Sequence, residues 1–202
     1  MNNVNENYSE LLSSLRLSYD SGITLPLEFR KKQLKNMLKM LEIHEKEFVQ
    51  ALKVDLGKSV MEGVCMEVEF CRNAIRGAIA DIETWAADEH VEKNLVTLLD
   101  TTFIKREPLG VVLIMGAWNY PIQLCILPAI GAIAAGNCVV IKTSELAPAT
   151  AKVMEKIFPQ FMNQSCYKLL LGGVPEATGK MIVELSMCRV YAMYTLNDKH
   201  GN

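Results

Sequence analysis

Through residues 1–90 apolar positions recur at helical spacing, and beyond residue 106 they gather into short unbroken runs. Tyr8, Leu11, Leu12 and Leu15 share one face of a helix that Ser21-Gly22 is placed to stop. Pro26 suits the first turn of a longer second helix, where its missing N–H costs nothing. Leu34, Leu38, Leu41, Phe48 and Leu52 form one apolar face of that helix, and Gly57 is placed to end it. A third helix is predicted from Met61 to Trp85, with Val64, Val68, Cys71, Ile75, Ile79 and Ile82 on its buried side. Within it, Glu67 and Glu69 stand two positions apart and point to different sides. They read as solvated residues rather than as paired acid–base carboxylates.

From Val91 to Arg106 the pattern is mixed, with strand-forming residues on either side of Asp100. This segment is predicted to be an extended arm or hairpin outside the compact fold. The run Val111–Met115 then reads as a strand that stops at Gly116, and Pro121 opens an Ala/Gly-rich helix. A second strand run, Cys138–Ile141, is followed by a helix from Pro148 to Phe161 and a third short strand, Tyr167–Leu171, before Gly172-Gly173. The order is β-α-β-α-β, an α/β chain of N-terminal helices followed by a partial parallel sheet. Open parallel sheets bind ligands at the carboxyl ends of their strands, which places Trp118, Asn119, Lys142 and Glu145 on the useful edge.

Composition narrows the function classes. Of 202 residues half are hydrophobic, and the formal net charge is −2, with no basic stripe interleaved with aromatics, so nucleic acid is not expected as a partner. Six cysteines and three histidines show no CxxC pair and no zinc spacing, so neither a metal site nor a disulfide framework is expected. A polar N-terminus without a secretory leader points to a reduced, cytoplasmic setting. The longest apolar stretch, Ile122 to Ala135, falls short of the roughly 20 residues that span a bilayer, so no membrane anchor is expected in this chain. The methionines sit at core-like spacings and read as filler.

Two groups could carry chemistry. Asn119 either holds the turn before Tyr120-Pro121 or presents its side-chain amide to a ligand. Lys142 and Glu145 could meet a ligand, while Ser144 could N-cap a helix with Glu145 in its first turn; the two uses are compatible. Small residues from Gly131 to Gly136 lack any following GK[ST] and form no GxGxxG, so they read as close helix–sheet packing with a left-handed cap at Gly136 or Asn137. None of Cys65, Cys71, Cys125 and Cys138 has a base in its sequence context, and buried inert thiols are expected.

The motifs WNYP at residues 118–121, KTSE at 142–145, WAADEHVEK at 85–93 and GGVPEAT at 172–178 resemble the aldehyde dehydrogenases, in particular the class 3 and fatty aldehyde branch, from about Pro26 to Thr178. The resemblance implies an incomplete Rossmann-like NAD-binding domain. It divides into a helical part (1–90), an arm (91–106) that contributes oligomer contacts, a β-α-β-α-β unit (107–178) and a divergent tail (179–202). It further implies that Asn119 donates to the aldehyde oxygen, that Trp118, Lys142 and Glu145 bind cofactor, and that the cofactor is NAD or NADP. Thr143 stands where the family has proline, which is expected to loosen the turn. After Thr178 the match breaks, and the family's diphosphate loop, G-Q-x-C nucleophile and general-base Glu find no counterpart. Aldehyde oxidation to carboxylate is therefore the family expectation. For this chain alone the expectation is an inactive, poorly soluble product, or a non-catalytic isoform that associates with full-length subunits as a homo- or hetero-oligomer.

Overall fold

A computed structural model describes residues 3–92, 95, 100–171 and 190–192. The GGVPEAT run, Cys188 and the tail apart from residues 190–192 lie outside the described residues. Helix α1 (Asn3–Asp20) buries Leu12 and Leu15 completely, and the chain leaves it through Gly22 at φ +76°. The long second helix expected from Pro26 to Gly57 is instead two, α2 (Leu27–Ile43) and α3 (Glu45–Leu56). The break lies at His44 (φ −106°, ψ 19°), whose ring packs edge-on against Phe161 at 5.6 Å and bonds to Glu47 Oε1 at 2.7 Å. The bend lets α2 pack on α5 while α3 turns to pack on α7. Gly57, in the left-handed conformation at φ 67°, ends α3 as the sequence suggested.

The third helix is also interrupted. A short α4 (Val60–Gly63) passes through a π-helical turn (Val64–Val68) into α5 (Glu69–Ala86). Such turns insert a residue and re-aim side chains, often beside functional sites. Here Glu67 is fully buried, which overturns its assignment to a solvated face. After α5, β1 (Glu89–His90) pairs antiparallel with β2 (Phe103–Ile104) as a ribbon separate from the main sheet.

The main sheet contains β3 (Val111–Met115), β4 (Cys138–Lys142), β5 (Tyr167–Leu170) and β6 (Val190–Ala192) in the order β5-β4-β3-β6, with every pair parallel. Strands β3 and β4 are buried almost throughout, which explains their unbroken apolar runs. Helix α6 (Gln123–Ala135) connects β3 to β4, and α7 (Pro148–Phe161) connects β4 to β5. Both touch the sheet, and α2, α3 and α5 pack onto them. Strand β6 lies in the tail, where the sequence offered no strand pattern, and it covers the edge of β3 opposite β4. Gly136, at φ 94°, forms the left-handed cap of α6, and the buried Arg30 guanidinium beside it donates to Ala134 O at 3.1 Å. Asn137 instead ties the entry to β3, its Oδ1 accepting from the N–H groups of Leu109 and Gly110.

Candidate functional site

Strand β3 ends at Gly116, whose N–H donates to Lys142 O at 2.9 Å. A Cβ at Gly116 would overlap the Cys125 sulfur, so the chain turns over the first turn of α6 with no room for a side chain. The following loop carries Trp118 and Asn119, both half-buried. Asn119 Oδ1 is buried without a hydrogen-bond partner among the described residues. The Asn119 main chain is tied down: its carbonyl accepts from Lys58 Nζ at 2.8 Å.

Lys58 and Glu67 are the groups that sequence reasoning missed. Lys58 Nζ donates to Glu67 Oε1 at 2.6 Å and lies 4.0 Å from the centre of the Tyr120 ring. Glu67 Oε2 accepts from the backbone N–H groups of Ile122 at 3.1 Å and Gln123 at 3.0 Å. These amides open α6, where no carbonyl one turn earlier is available to them. Burial raises the Glu67 pKa above the ordinary glutamate value, against the opposing pull of Lys58 and the two amides. A signal did exist in the sequence. Glu67 precedes Cys71 by four residues and Ile75 by eight, which places it on the buried stripe of the helix.

The second loop follows β4. Lys142 Nζ donates to Glu145 Oε2 at 3.1 Å and to Thr143 O at 3.3 Å. Glu145 is exposed, and its own backbone N–H and Lys142 hold its carboxyl below the usual glutamate value. Thr143 does not loosen the turn. Its N–H and its Oγ1 both donate to Leu170 O, at 3.0 and 3.2 Å, and so extend the β4–β5 ladder in a way that proline's missing N–H would not allow. Nor does Ser144 cap α7, since its Oγ accepts from Leu146 N–H at 3.2 Å within a local turn. The cap comes from α3: Asp55 Oδ1 and Oδ2 accept from Ala149 N–H at 2.9 Å and Thr150 N–H at 2.7 Å. No local pattern around Asp55 announces that reach across the fold.

The parallel register sets Met115 beside Lys142, so the two loops leave neighbouring strands at the same edge. Cys71 and Cys125 are buried; burial pushes Cys125 up to about 12 and raises Cys71 as well. Cys138 and Cys166 are buried at the amino ends of β4 and β5, opposite the Asn119 edge. Cys65 is exposed, not buried as expected, with its sulfur 3.4 Å from Met61 Sδ. Among the described residues no cluster of His, Cys, Asp or Glu could hold a metal ion, and no helix is long and apolar enough to cross a membrane.

The aldehyde dehydrogenase family model matches residues 15–190. The chain is 43% identical to mouse aldehyde dehydrogenase family 3 member B3 over 175 residues, covering 87% of this chain and 36% of that one. It is 44% identical to the dog dimeric NADP-preferring aldehyde dehydrogenase over 170 residues, covering 84% of this chain and 38% of the relative. The substrate-bound structure of Staphylococcus aureus AldH superposes with a TM-score of 0.83 at 33% identity, over 86% of this chain and 38% of that one. The chain thus spans little more than a third of the length of the relatives it matches.

Proposed function

The chain belongs to the aldehyde dehydrogenase family, and from that premise we propose that it is the cofactor-binding portion of an NAD(P)-dependent enzyme that oxidises aldehydes to carboxylates. The observation that carries this reading is that two loops leave neighbouring strands at one sheet edge, one bearing Asn119 and the other the Lys142–Glu145 donor–acceptor pair. The donor set fits a ribose diol. Lys142 can donate to a hydroxyl oxygen, and Glu145 can accept from a 2′-hydroxyl. The salt bridge partly neutralises the Glu145 carboxylate, so either dinucleotide is a fitting ligand for the test. Trp118 is assigned to the cofactor side of the same loop. Asn119 donates its side-chain amide to the aldehyde oxygen as negative charge builds on it, worth roughly 3 kcal/mol in comparable sites. When bound, NAD(P)+ supplies the hydride acceptor.

These 202 residues contain no G-Q-x-C run, and the described cysteines near the site are held protonated by burial. We therefore infer that this chain alone binds the dinucleotide without turning over aldehyde. Its five described cysteines are free, which fits the reduced cytoplasm. Calorimetric titration of the purified chain with NAD+ and with NADP+, coupled to an NADH-forming aldehyde assay, tests this. Saturable binding without turnover is expected. Turnover would overturn the inactivity, and absence of binding would overturn the cofactor assignment.

A second reading, association with full-length subunits, is favoured by an apolar groove. A cavity of about 410 Å³ lies between α6 and the start of β3, lined in part by Leu109, Val112, Leu127 and Pro128. Leu109 is half exposed, and β5 pairs only with β4 among the described residues. Co-purification with a full-length subunit would support this reading, and a monodisperse, cooperatively melting monomer would count against it.

A further inference from the structure

We propose that Lys58 and Glu67 are a buried positioning pair that fixes the Asn119 loop, touching neither aldehyde nor cofactor. The proposal rests on the reading of Asn119 as the aldehyde-facing donor. Three contacts of the ammonium are defined: the Glu67 carboxylate, the Asn119 carbonyl and the face of the Tyr120 ring. An ammonium has three N–H groups, so these contacts leave none for a ligand. Both Glu67 oxygens are likewise engaged, one by Lys58 and the other by the Ile122 and Gln123 amides, and the side chain is fully buried.

Neither member has a ligand-facing atom left, yet together they grip four points within five residues, at Asn119, Tyr120, Ile122 and Gln123. A buried ion pair is a poor device for stability alone, because apolar side chains of similar volume commonly do as well. Its specific effect here is geometric. It fixes the carbonyl of Asn119 and the first turn of α6, and it leaves the Asn119 side chain free to meet a ligand. The π turn at Val64–Val68 is the local device that delivers Glu67 to this position.

The test is hydrogen exchange by mass spectrometry on the full chain, comparing the parent with Lys58→Met/Glu67→Leu, which removes both charges together. Exchange in residues 117–124 is expected to rise about tenfold, while α2 and β4 keep their parental rates. A folded double variant with unchanged loop exchange, or one in which exchange rises uniformly along the chain, would overturn the proposal. Should the double variant not fold, Glu67→Gln and Lys58→Arg are read in the same way. Glu67→Gln should loosen 117–124 selectively and Lys58→Arg, which keeps the charge, should retain most of the parental protection, whereas a uniform rise in either rejects a positioning role. The Asn119 assignment fails separately. Asn119→Ala should leave exchange at Ile122 and Gln123 at parental rates, because the pair holds the backbone. If those rates rise with the substitution, the side chain itself supports the loop and the pair is not what fixes it.

Discussion

The two loops at the functional edge are held in opposite ways. The loop after β3 is anchored from beneath by a fully buried carboxylate and its lysine, both supplied by a helical hairpin more than fifty residues earlier in the chain, at a sequence separation of 55 for Glu67 and Ile122. The loop after β4 is fastened by Thr143 to the end of β5, but its ion pair, Lys142–Glu145, reaches solvent. The difference suits the two tasks proposed for these loops. Orienting a single amide toward a developing charge benefits from a rigid, dehydrated support, because misplacement there weakens the transition-state interaction directly. Gripping a ribose tolerates side chains that adjust in water.

Substitutions can break or sharpen this contrast. The largest effect is expected for Lys58→Met alone, which strands a buried carboxylate; about 3–5 kcal/mol should be lost in chemical denaturation. A loss within error of zero would mean that the pair is solvated in solution. Gly116→Ala, which forces a methyl against the Cys125 sulfur, should cost about 1–3 kcal/mol. Combining it with Cys125→Ala should cost less than the sum of the two single changes. On the second loop the expected effects are smaller. Asp55→Ala removes the cap of α7 and should cost about 1 kcal/mol, read as a lower melting temperature. Lys142→Met should change stability by less than about 0.5 kcal/mol, yet weaken NAD+ binding about tenfold by calorimetry. The reverse pattern, large in stability and nil in binding, would exchange the roles assigned to the two loops.

The smallest effect is a pH dependence. The Glu67 pKa is raised on folding, so its titration contributes stability that is fully present below the unfolded glutamate value and is lost as pH rises through the folded value. Glu67→Gln should remove that decline from the stability–pH curve. An unchanged curve would show that Glu67 titrates like an exposed glutamate.

Much of the second loop and its setting was legible in the sequence. The helix from Pro148 to Phe161 appears with the expected bounds, and the runs that became β3 and β4 are strands because they are apolar on both faces. Lys142 follows directly from the end of such a run. The support of the first loop was not legible, because its partners come from distant chain segments. Helical spacing could place Glu67 on a buried stripe, but nothing local tells that a lysine preceding α4 will meet it there. His44 breaks a continuous amphipathic pattern through a contact with Phe161, more than a hundred residues onward in the chain. The cap from Asp55 and the pairing of β6 on β3 are also tertiary outcomes. Local propensity yields to such contacts wherever burial decides.

The most direct test of the two-loop site is hydrogen exchange of the purified chain with and without saturating NAD+. Residues 116–123 and 142–147 should become protected together, with the same dependence on NAD+ concentration, while α2 and the β1–β2 ribbon stay unchanged. Protection confined to other segments, or none at either loop, would contradict a cofactor site at this edge.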